Sequence, residues 1–137
     1  ESCILHHSWS PRELLCGHGT RLHLHFVKHI LFTLMQWPYH LLDDEAFIRA
    51  VLVNAAECSG STLLSVSSYK FKPHGVTAVA LLAESHISIH TWPERGTAVC
   101  DVFTCGDHTK PSAASVYMYD ALESKSHTTE TIERPLL

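Results

Sequence analysis

The chain has 137 residues, the size of one domain, and 45% of them are apolar against 18% charged, which excludes intrinsic disorder. Ten lysines and arginines against 14 aspartates and glutamates leave a net charge of −4, the wrong sign for a phosphate-backbone binder. The longest fully apolar run, Ala78 to Ala83, is far too short to span a membrane as a helix, so neither nucleic acid nor a membrane is expected as a partner.

In chain order, residues 1–21 hold Pro11, two glycines and no sustained period. They read as a poorly specified N-terminal extension to a domain over 22–137. Leu22 to Met35 reads as a first long strand, ended by Pro38. Asp43 or Asp44 can cap a helix in which Phe47, Ala50, Val51, Asn54 and Cys58 fall at helical spacing, and Gly60 stops it. Four strands follow, over Thr62–Phe71, Val76–Ala83, His86–Thr91 and Thr97–Thr104. The second of these is nearly all apolar, the pattern of a central strand covered on both faces. Pro73-His74-Gly75 and Pro93-Glu94-Arg95-Gly96 supply turns. Pro111 opens a second helix with a buried stripe of Ala114, Tyr117, Met118, Ala121 and Leu122. A last strand runs from about His127 to Glu133.

That order gives an α+β fold: a two-layer sandwich with a mostly antiparallel sheet and its helices on one face. The other face must be solvated or buried by a partner.

The five cysteines are an odd number with no CxxC pair, and the first residues lack the pattern of a secretory signal. A reducing cytosol, and so a cytoplasmic protein, fits best. Twelve histidines, among them His6, His7, His23, His25 and His29, raise the question of a metal. No HExxH or Cys/His zinc spacing accompanies them, and no metal is expected.

The densest chemistry lies between Phe71 and Cys105. Strict alternation over 86–91 sends Ile87 and Ile89 to one face and His86, Ser88 and His90 to the other. A Ser, a His and a Cys can then meet near neighbouring strand ends. Ser85, His90 and Asp101 could form a hydrolase triad, although no GxSxG elbow is present. Cys105 and His90 could form a nucleophile pair, although thiol-protease signatures are absent. Equally, all of them could be ordinary strand-end residues.

Two longer blocks shift that balance. Glu84-Ser85-His86-Ile87-Ser88-Ile89-His90-Thr91-Trp92-Pro93-Glu94 and Asp101-Val102-Phe103-Thr104-Cys105-Gly106 closely resemble the bacterial and archaeal S-adenosylmethionine decarboxylase proenzymes. The resemblance runs from about Lys28 to Arg134 and is strongest over 71–108, including Gly75-Val76-Thr77. It implies self-cleavage between Glu84 and Ser85, giving a β chain of residues 1–84 and an α chain of 85–137. Ser85 would become a pyruvoyl group, a cofactor made from the chain itself, with no pyridoxal phosphate and no metal. The logic is sound chemically: decarboxylating an amino acid leaves a carbanion that no ordinary side chain can accept, whereas a pyruvoyl carbonyl can.

By the same resemblance, His90 serves processing as a proton acceptor, Thr77 supports it, and Cys105 is the proton donor in turnover. Histidine titrates near neutral pH, and an ordinary thiol stays mostly protonated there. Phe71 would stack on the adenine of S-adenosylmethionine and Glu94 would accept from the ribose hydroxyls. A homodimer of αβ units with sheets face to face is implied, the product serving spermidine and polyamine biosynthesis. Val27, Thr33 and Trp37 stand where the family usually has glycine, glutamate and cysteine, while His29 is retained. Cys100 replaces a small aliphatic residue and reads as a packing change. Thr33 motivates an alternative, a pyruvoyl-dependent arginine or ornithine decarboxylase. A further alternative is an uncleaved, non-catalytic paralogue.

Overall fold

The computed structural model describes residues 25–105 and 108–136. The expected extension over 1–21, the head of the first strand, and His6, His7 and His23 lie outside the described residues.

Six strands form one sheet: β1 (His25–Met35), β2 (Leu63–Lys70), β3 (Val76–Leu82), β4 (Ser85–Trp92), β5 (Thr97–Thr104) and β6 (Ser126–Leu136). Three helices accompany them: α1 (Tyr39–Leu42), α2 (Glu45–Cys58) and α3 (Pro111–Ala121). The sheet order is β2-β3-β4-β5-β1-β6, with every neighbouring pair antiparallel. The α+β class and the antiparallel sheet match the sequence reading. The four-residue α1 does not appear in that reading, being too short to show a period.

Asp44, rather than Asp43, caps α2 by accepting a hydrogen bond from Phe47 N–H at 3.0 Å. The buried stripe of α2 is Ile48, Val51, Leu52, Ala55 and Ala56, so it is rotated from the expected one. Ala50, Asn54 and Cys58 are exposed. The contest was between two overlapping helical patterns, and the larger aliphatics took the sheet side. In α3, Ala114, Met118 and Leu122 are buried as expected, with Tyr117 and Ala121 partly so.

Helices and sheet share one core, in which Ile30, Phe32, Leu34, Ile87, Ile89 and Val102 face the helices. The expectation that β3 is covered on both faces is not met. Val76, Ala78, Ala80 and Leu82 are buried, but Val79 and Leu81 are exposed on the opposite face. Those exposed aliphatics give the open face apolar surface that a partner could cover.

The open face also holds a compact polar network. Asp101 of β5 accepts from His29 of β1 and His86 of β4, each at 2.7 Å, and from the Ser88 hydroxyl. Burial pushes the Asp101 carboxyl up, but hydrogen bonds from His86, Ser88 and His29 hold it far below the ordinary carboxylate range. No helix among the described residues is long and apolar enough to cross a membrane.

The folded carboxyl therefore binds its proton less readily than the unfolded one. The stabilisation it gives is complete above about pH 4 and is lost as pH falls toward the folded value. Asp101→Asn is expected to lower stability by about 1–3 kcal/mol at neutral pH. The gap between variant and wild type should begin to narrow below about pH 4 and go on shrinking as the pH falls further, as read from denaturation midpoints across pH.

Candidate active site

The sequence-predicted residues gather at two ends of β4 rather than in one cluster. At the far end, Thr77 of β3 pairs in register with His90 of β4, and Thr77 Oγ1 lies 3.0 Å from His90 Nδ1. Phe71 and Glu94 flank this pair from the two adjoining turns. Gly75 shapes the first turn: its φ is +104°, and a side-chain carbon there would sit 3.1 Å from Thr91 O. Asp43 secures the turn by accepting from Gly75 N–H at 2.8 Å and Lys70 Nζ at 2.7 Å. The Lys70 bond, and then the Gly75 N–H, hold its carboxyl below the usual value. Phe71 is left exposed beside Tyr69, with ring centroids 4.9 Å apart. Glu94 accepts from His74 at 2.9 Å.

At the near end sit Glu84, Ser85 and Cys105. Ala83 and Glu84 are the two-residue loop of the β3–β4 hairpin, with Leu82 opposite Ser85. Such loops favour turns with positive φ at the loop residues. Here the positive φ falls on Ser85 instead, at +147°, one of three such values among the described non-glycine residues. Backbone in that region costs about 1–3 kcal/mol and persists only where surrounding contacts enforce it. The Glu84 carbonyl oxygen accepts from Cys105 N–H at 3.3 Å, and the Cys105 sulfur lies 3.3 Å from the same oxygen. In this structure the Cys105 sulfur is engaged in a disulfide. Thr104 lies directly across from Ser85, buried, with no hydrogen-bond partner for its hydroxyl.

Several expectations are corrected by this arrangement. Asp101 bonds His29, His86 and Ser88, so the Ser85–His90–Asp101 triad does not assemble. Cys105 reaches the Glu84 carbonyl next to Ser85, but His90 stands five residues along β4, about 17 Å away at about 3.4 Å per residue. The Cys105–His90 pair is likewise split. Cys100 is buried, and burial raises its thiol well above the ordinary value, which suits a packing role. His29, His86 and Asp101 bring three donor atoms within 4.8 Å of one another, a spacing a metal ion could bridge.

Thr33 lies on the open face, in a cleft with Leu31, Ser88, His90, Asp101 and Glu130. Glu130 of β6 thus adds a second carboxylate to that of Asp101 in the cleft.

Sequence reasoning missed Thr62, Thr104 and His108. Thr62 acts through its backbone N–H, which leaves no side-chain signal. Thr104 and His108 lie within or beside the block around Cys105 and only the register shows what they face.

The residues present fit a pyruvoyl group derived from Ser85. The strained serine and a carbonyl held by a backbone N–H meet at the Glu84–Ser85 bond, and the unpartnered Thr104 hydroxyl belongs to the residue paired with Ser85 across the ladder.

The sequence and the fold are also similar to those of known proteins. A family model described as S-adenosylmethionine decarboxylase matches residues 28–135. The S-adenosylmethionine decarboxylase proenzyme of Synechococcus sp. (strain WH7803) is 50% identical over 107 residues, 78% of this chain and 84% of the relative. The proenzyme of the same name from Methanococcus maripaludis (strain DSM 14266) is 56% identical over 84 residues, 61% of this chain and 69% of the relative. The crystal structure of the adenosylmethionine decarboxylase from Aquifex aeolicus VF5 superposes with a TM-score of 0.77 at 40% identity, covering 83% of this chain and 94% of that one. On fold and sequence together, the chain belongs to the S-adenosylmethionine decarboxylase family.

Proposed function

We propose that this protein is a self-processing S-adenosylmethionine decarboxylase whose pyruvoyl group arises from Ser85, and that it works in the cytoplasm as a homodimer. The observation that carries the reading is the strained Ser85 backbone beside a Glu84 carbonyl already bonded to Cys105 N–H.

Ser85 Oγ attacks the Glu84 carbonyl carbon. Negative charge builds on the carbonyl oxygen, where the Cys105 N–H receives it. The Glu84–Ser85 C–N bond breaks as the C–O bond forms, and the departing amine takes up the hydroxyl proton, leaving an ester. A base then removes the Ser85 α-proton, and Glu84 leaves as a carboxylate. The resulting enamine shifts to an imine, which water hydrolyses with release of ammonia, leaving the ketone at residue 85. That pyruvoyl carbonyl supplies an electron sink for the decarboxylation of a bound amino acid. Phe71 offers its exposed ring to the adenine and can attract the substrate sulfonium by cation–π contact. Glu94 offers carboxylate oxygens to the ribose. Cys105 returns a proton to the product carbon, a step that requires its reduced thiol form.

A proton cannot pass directly between groups about 17 Å apart, since transfer requires hydrogen-bond reach. Ser85 of one protomer must therefore meet His90 and Thr77 of another. The open sheet face supports this, because Tyr69, Val79, Leu81 and Val99 leave it apolar and exposed. Two such faces packed together bury that patch and bring opposite ends of β4 into register with each other. The domain boundaries follow: 22–137 as the decarboxylase unit, cut into 1–84 and 85–137.

Denaturing mass measurement of the purified protein should show two chains meeting between residues 84 and 85, the second blocked by a ketone that borohydride reduces. Ser85→Ala should remain a single chain of about 15.3 kDa. A wild-type protein that stays whole would mark an uncleaved paralogue.

Co-expression tests the shared site. Ser85→Ala and His90→Ala chains made alone should both stay whole or be cut at least about a hundredfold more slowly. Made together, mixed dimers should hold one complete site, and the His90→Ala chain alone should be cut. Absence of any cutting in the mixture would place both groups in one protomer.

A further inference from the structure

Glu84 sits at a hairpin turn yet exposes only 1% of its surface. Burying a carboxylate is costly unless donors replace the lost water. Thr62 N–H reaches Oε2 at 2.9 Å, and His108 Nε2 lies 3.1 Å from Oε1. Burial pushes the carboxyl up, but the Thr62 and His108 bonds outweigh it and leave the group below its ordinary value. Ala83 N–H adds a bond to Thr62 O at 2.9 Å, so both turn residues are tied to the segment ahead of β2. His108 grips from the other side, out of the segment that follows β5. Thr62 precedes the cleavage point and His108 follows it.

We propose, resting on the cleavage reading above, that Glu84 and His108 form a clamp that aims the scissile carbonyl during self-cleavage and afterwards holds the new β-chain terminus in place. His108 is a positioning residue, reaching the reacting carbonyl only through Glu84. Before the cut, the bond from Cys105 N–H to the carbonyl is long, at 3.3 Å, and fixes the carbonyl weakly by itself. Its direction depends on the two bonds that hold the Glu84 side chain. The same bonds stop the turn from relaxing and releasing the strain at Ser85. After the cut, the carbonyl has become a second carboxylate on a residue that already carries one. The two repel, and the His108 ring, when protonated, is the cation that faces them. The pair then spans the break, joining the last residue of one product chain to the other.

Cell-free synthesis of the full chain, followed over time by intact mass, tests the clamp. Wild type should be cut and Ser85→Ala should not. His108→Leu should be cut at least about tenfold more slowly, whereas His108→Gln, which keeps an N–H donor, should recover to within about threefold of wild type. Glu84→Gln preserves shape but weakens the His108 bond, and it should also slow by about tenfold. Once cut, His108→Leu should lose its 1–84 fragment more readily in native mass spectra than wild type does. The His108 side chain is 39% exposed, so its replacement opens no core cavity, and circular dichroism should show each variant folded. Cutting of His108→Leu at the wild-type rate would overturn the clamp, as would equal slowing of the Leu and Gln variants or an unaltered rate for Glu84→Gln. A wild-type chain that stays whole would instead remove the cleavage reading and the clamp with it.

Discussion

The pleat of β4 governs nearly everything else in this protein. A strand turns successive side chains to opposite faces and advances about 3.4 Å with each residue. Pairing with β3 and β5 fixes its register, so Ile87 and Ile89 enter the helix-covered core while His86, Ser88 and His90 stand on the open face. A slip of one residue would exchange the two sets and lose both core and site. The same rise keeps Ser85 away from His90. A single strand thus anchors the core and holds Ser85 and His90 apart within one protomer.

Two acidic residues are withdrawn from water, and each is held by several donors. Asp101 receives two histidines and a serine on the open face; Glu84 receives a backbone N–H and a histidine at the hairpin. In both, hydrogen bonding outweighs burial, so the groups remain charged. Asp101 ties three strands together across the sheet. Glu84 instead ties loops around a strained peptide, where the backbone conformation of Ser85 would otherwise relax. Similar physics thus serves cohesion in one place and tension in the other.

Periodicity made most of the architecture legible. The strands from Thr62 onward, the Pro111 start of α3 and the gathering of helices on one face follow from alternation and turn residues. The rotated stripe of α2 did not, because Phe47 and Ala50 compete with Ile48 and Leu52 for the same side and only the sheet decides. The apolar run in β3 misled for a related reason: Val79 and Leu81 suit a covered strand, yet both are exposed on the open face. At the site, residue types could be read but distances could not. Spacing suggested that Ser85, His90 and Cys105 converge; register separates the histidine from the other two. The grip of Thr62 on Glu84 had no local signature, since one partner is a main-chain amide 22 residues away.

The strand order has one more effect. A break after Glu84 would leave β1, β2 and β3 on one fragment and β4, β5 and β6 on the other. In the sheet, β1 is wedged between β5 and β6, while β3 borders β4. The two fragments are therefore interleaved along three hydrogen-bonded seams rather than abutting at one. Such a pair could not drift apart as rigid pieces; parting them would mean dismantling the sheet itself, so a nicked molecule would keep much of the cohesion of an uninterrupted chain.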